Sequence, residues 1–91
     1  MKIKNNYTVD ETLGFIRFSD FPLATTLVCM DYKLLYVEAD KGDSKRLDFV
    51  FEKTNAVELL IAGYWNSNLL VDPKKFWNAS REIKSRIQSQ K

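Results

Sequence analysis

Lys74, Trp77, Arg81 and Lys84 recur every three or four residues, and Lys91 continues the series seven residues on. At about 100° per residue these side chains share one arc of a helix. An indole among cations offers a flat surface for a stacked base, with positive groups for phosphates, the combination used for single strands. Arginine grips phosphate through two parallel N–H donors, a geometry lysine does not have. The competing explanation is structural. A tryptophan at the edge of an apolar stripe is often half-buried under lysine and arginine stems, and cations near a helix carboxyl end complement its dipole. Lys74 and Lys75 sit at the other end and fall outside that explanation.

From Pro73 to Lys91 six basic side chains accompany one acid, Glu82, a local charge of +5, whereas residues 1–72 carry eight basic and eleven acidic groups, or −3. The total of +2 thus hides an acidic body with a basic end, an asymmetry that points to DNA, RNA or another polyanion. Other chemistry is poorly provided for. The chain has no histidine, and so lacks the commonest general base and metal ligand. Its single cysteine, Cys29, cannot build a Cys/His zinc site within one chain. The three glycines stand apart at 14, 42 and 63 and form no phosphate loop. Asp40 and Asp43 share a turn-forming cluster with no apolar setting to raise either pKa, and read as a solvated loop. No catalytic residue, metal or cofactor is expected.

Ninety-one residues suit one domain. Cys29, among Leu27, Val28 and Met30, reads as a small core residue in a reducing, cytoplasmic compartment. No apolar run follows the first lysines and none approaches a membrane span, so neither a signal peptide nor a membrane is expected. Asn6-Tyr7-Thr8 and Asn78-Ala79-Ser80 then read as chance glycosylation matches.

The elements that position these residues follow from caps and periodicity. Residues 1–14 are polar and weakly patterned and read as an extension, possible in a flexible state; Phe15 to Phe18 is a short extended segment opening the domain 15–91. Ser19 or Asp20 caps a helix over 20–30, with Pro22 in its first turn. Tyr32–Ala39 and Leu47–Glu52 form an antiparallel hairpin, with Phe49 and Phe51 inward and Asp48, Val50 and Glu52 on the other face. Thr54 or Asn55 starts a helix to Asn66, whose stripe is Val57, Leu60, Ile61 and Tyr64. Its back, Ala56, Leu59, Ala62 and Gly63, is small or apolar, with Glu58 the only charge. Such a helix is covered on more than one side, here by the hairpin and the last helix. The sharper alternative makes that back, with Trp65, a seam for a protein partner or a homodimer. Asp72 and Pro73 cap the final helix, whose buried stripe is Phe76, Ser80, Ile83 and Ile87. The result is an α+β domain, ordered helix, hairpin, helix, helix, with about three helices packed on a small antiparallel sheet.

Ser19-Asp20, Leu23-Ala24, Leu27, Tyr32-Lys33-Leu34, Phe49-Val50-Phe51-Glu52, Ala62-Gly63-Tyr64-Trp65-Asn66 and Val71-Asp72-Pro73 with Phe76 resemble a family of small uncharacterised prokaryotic and phage domains. These are caps and core positions, and the resemblance spans about residues 18–87. It implies the fold and assigns no activity. Where such relatives place glycine after the first helix this chain has Asp31, which takes the left-handed conformation at some cost.

Overall fold

The computed structural model describes residues 2–4, 7–39 and 46–89. Tyr7 and Val9 alternate with Thr8 and Asp10, enough for one strand turned half toward a core. That strand, β2 (Tyr7–Asp10), pairs on one side with β1 (Lys2–Lys4) and on the other with β3 (Phe15–Phe18), both antiparallel. Within the stretch 1–14, residues 2–4 and 7–10 thus belong to the sheet. A four-residue alternation was too short to stand out from its polar surroundings.

Gly14 turns the chain from β2 into β3. Its φ of +74° is the left-handed region, and its N–H donates to the Asp10 carbonyl at 2.8 Å. After β3, Asp20 caps α1 (Phe21–Cys29) by accepting from the Leu23 N–H at 2.9 Å, with Pro22 in the first turn. The hairpin follows as β4 (Leu34–Ala39) and β5 (Leu47–Glu52). Asp40 and Asp43 lie outside the described residues. β5 pairs with both β4 and β3, giving a five-stranded antiparallel sheet in the order β1-β2-β3-β5-β4.

One face of this sheet carries the core. Val9, Ile16, Phe18, Leu34, Val37, Phe49 and Phe51 meet Leu23 and Leu27 of α1, and Val57, Ile61 and Ile83 from the two later helices. Phe49 and Phe51 point inward as the alternation requires. Val50 does not reach water, however. Its strand partners Arg17 and Tyr36 share its face, where Arg17 pairs with Glu38 at 3.2 Å and Phe15 meets Tyr36 edge-on, and Val50 is fully buried.

The later helices are α2 (Asn55–Trp65) and α3 (Pro73–Ser89). Thr54, not Asn55, caps α2, its hydroxyl accepting from the Val57 N–H at 3.1 Å. The helix wrapped on several sides is α1, which packs against both α3 and α2. Its ten residues from Phe21 to Met30 contain no charge, and Thr25 and Thr26 bury their hydroxyls by donating to the Phe21 and Pro22 carbonyls one turn back. The expectation that α3 covers the back of α2 is overturned, because the more uniformly apolar α1 takes the central place. Both helix ends close in the left-handed region without glycine: Asp31 has φ 71° and Ser67 has φ 58°. In each case N–H groups beyond the last turn return to its carbonyls, Tyr32 to Leu27 at 3.0 Å and Asn68 to Gly63 at 2.9 Å.

Candidate functional site

α3 begins where Asp72 Oδ1 accepts from the Lys74 N–H at 2.8 Å and the Lys75 N–H at 3.4 Å, with Pro73 at the first helical position. Its inward face carries Ala79, Ser80 and Ile83, with Phe76 and Ile87 partly covered beside them. Ala79 widens the expected stripe by one residue and lets α3 approach α1 closely.

Arg86 fixes the far end. Its guanidinium donates from Nη1 to the Leu34 carbonyl and from Nη2 to the Leu35 carbonyl at 3.1 Å. The strand register shifts between Leu34 and Tyr36, leaving Leu35 without a partner on β5. Arg86 thus uses a bulge in the edge strand to anchor α3, and one cation of the basic end has a structural role.

The remaining face points to water. Lys74, Trp77, Arg81 and Lys84 are all exposed, and Trp77 keeps 59% of its surface accessible. Lys84 Nζ stands 5.9 Å from the Trp77 ring centroid and 5.8 Å from that of Phe21, at the start of α1. Both distances are near the outer limit for a cation–π contact. Pro73, Lys74, Trp77 and Asn78 line an open recess of about 390 Å³. Glu82, the one acid of the helix, lies on the opposite flank at 100° per residue. Among the described residues no ion pair joins Lys74, Arg81 or Lys84 to a carboxylate. Lys91 lies outside the described residues. Four of the five predicted residues thus share one face. Pro73, Asn78 and Phe21 join them, the last only because α1 and α3 pack together, which spacing along one helix does not reveal.

Residues 14–89 match the family described as a domain of unknown function, DUF5659. The chain belongs to that family. No curated protein and no solved structure matches it.

The DUF5659 domain also carries the second candidate surface, on α2. Ala56, Leu59, Ala62 and Trp65 are exposed, Leu59 at 72% and Trp65 at 42%, and Leu70 in the following connector is exposed at 96%. Gly63 departs from this group. A Cβ there would stand 3.0 Å from Leu69 Cδ2, so the missing side chain admits the α2–α3 connector instead of a partner chain. In the apolar connector Leu69-Leu70-Val71, Leu69 turns in toward Gly63 and Leu70 out, a split that the run of apolar residues does not reveal.

The groups with displaced titration lie elsewhere. Burial raises the Tyr64 phenol above its ordinary range, helped by the nearby Asp20 carboxylate, which accepts its O–H at 3.1 Å. Burial likewise raises Tyr7, with Glu58 adding to it. The Cys29 thiol is raised by burial first, Lys75 opposing and Asp72 and Asp31 adding, and so stays protonated at neutral pH. Among the described residues no three His, Cys, Asp or Glu side chains gather where they could hold a metal, and no helix is long and apolar enough to cross a membrane.

Proposed function

We propose that this domain is a non-catalytic binding module whose α3 contacts nucleic acid through its outward face. The observation that carries the reading is Trp77, open to water in a row with Lys74, Arg81 and Lys84. A structural tryptophan would be sheathed by its neighbours, whereas this ring meets one lysine at the limit of contact. The charge split supports the reading, since a negative body beneath a positive helix orients a polyanion toward α3. A buried free thiol fits a reducing cytoplasmic setting. Fluorescence anisotropy with labelled single- and double-stranded DNA and RNA tests it. Binding is expected at about 50 mM salt and is abolished by Arg81→Glu with Lys84→Glu, while circular dichroism and Tm stay near wild type. Absence of binding to all four probes refutes the reading.

A second reading, in which the back of α2 meets a protein partner or a second copy of the chain, is favoured by one observation. At 100° per residue, Asn55, Ala56, Leu59, Ala62 and Asn66 form an outward arc without a single charge, and Leu59 projects from its centre. Sedimentation over a concentration series tests the homodimer. Self-association lost on Leu59→Glu supports it, and a 10.6 kDa monomer at high micromolar concentration removes it.

A further inference from the structure

We infer that α3 takes a single strand and not a duplex, with one base stacked on the Trp77 indole; the inference rests on the reading of α3 as a nucleic-acid surface. Three observations converge on it. The first is the shape of the recess. Pro73, Lys74, Trp77 and Asn78 supply a flat ring, a pyrrolidine, one cation and one amide. A flat apolar ring complements the face of a base, and in a duplex those faces are already covered by neighbouring pairs. Duplex sequence is read at base edges, where an indole offers one donor only.

The second is the placement of the cations. Lys74, Arg81 and Lys84 lie on the Trp77 flank, spread over about 15 Å of helix. The opposite flank has Lys75 and Arg86, but Arg86 is committed to the Leu34 and Leu35 carbonyls, and Glu82 follows Lys75 on that flank two turns along. A helix seated in a major groove has phosphates on both sides, whereas α3 offers a full row of cations on one. One row suits one backbone.

The third is the start of the helix. Free N–H groups at a helix amino end are a common phosphate site, but Asp72 fills this one with its own carboxylate. Phosphates must therefore be met by side chains further along. Lys84, loosely held between Trp77 and Phe21 at 5.9 and 5.8 Å, can move to a phosphate beside the stacked base without giving up a close partner.

The test compares a labelled oligothymidylate with a closed hairpin duplex of matched length, using wild type, Trp77→Ala, Trp77→Phe and the Arg81→Glu/Lys84→Glu pair. The single strand is expected to bind at least about tenfold more tightly than the hairpin, and Trp77→Ala to weaken it about tenfold to a hundredfold, with Trp77→Phe in between. Because Trp77 is exposed, its replacement leaves the melting curve in place, which separates lost stacking from lost folding. A hairpin bound as tightly as the single strand overturns the inference. So does full affinity of Trp77→Ala alongside loss in the charge-reversed pair, an outcome that leaves the broader reading of α3 standing. Failure of both probes, and of the matching RNA strand and RNA hairpin, to bind wild type removes the two together.

Discussion

Asp31 sits at φ 71° just beyond α1, a position that favours glycine. Relatives that this chain resembles place glycine here, and the backbone shows the physical reason. Asp31→Gly is expected to raise stability by about 0.5–1 kcal/mol, part of the relieved strain being offset by greater freedom of the unfolded chain. That is a gain of a few degrees in Tm for a domain of this size, and a lower Tm would contradict it. Tyr64 supplies a pH test. Its folded pKa is raised by burial and by Asp20, so the neutral phenol is favoured in the fold. That contribution is complete below the unfolded value near pH 10 and disappears as pH rises through the folded value. Tyr7 acts in the same direction. Thermal melts from neutral to alkaline pH should show Tm falling above about pH 10, with a shallower fall for Tyr64→Phe; an unchanged slope in that variant would count against the Tyr64–Asp20 contact as its source. Trp77 was legible in the sequence because three residues to one side and four to the other stand cations. Gly63 was misplaced because a small residue permits close approach without revealing what approaches.

At the scale of elements, caps were the most readable feature. Asp72-Pro73 gave the start of α3 and Asp20 with Pro22 that of α1, since a side-chain acceptor beside a fixed φ is a local, nearly context-free instruction. Coverage was not readable in the same way. α2 looked apolar on all sides, yet its back is open, and the uncharged α1 fills the centre. Composition tells how much of a helix tolerates burial, and only packing against other elements tells how much is buried. Nor does sequence show that the bulge at Leu35 faces a guanidinium. Arg86→Ala leaves the Leu34 and Leu35 carbonyls without their charged donor and should cost about 2–3 kcal/mol. Arg86→Lys should recover only part of this, because an ammonium lacks the fork that reaches two carbonyls. Chemical denaturation of the three proteins measures the difference; equal stability would show that the anchor contributes nothing.

The whole molecule divides its labour between two layers. Strands β2 to β5 and the buried sides of three helices form the core, within an envelope of 33 × 31 × 18 Å, and α3 turns a row of cations away from it. The α+β class followed from the hairpin and the helix stripes, but the sheet was under-counted. β1 and β2 come from residues whose alternation is brief, and they join the sheet through β3, which pairs with β5 more than thirty residues on, a long-range effect invisible in a local window. The charge division, by contrast, was fully visible, because summing side chains requires no fold. Most direct for the central claim is the salt dependence of oligothymidylate binding, read as log affinity against log salt for wild type and Lys84→Ala. If α3 engages about four phosphates, the wild-type slope should lie near −3 and Lys84→Ala should flatten it by about one. A slope near zero, or one that Lys84→Ala leaves unchanged, would contradict the account.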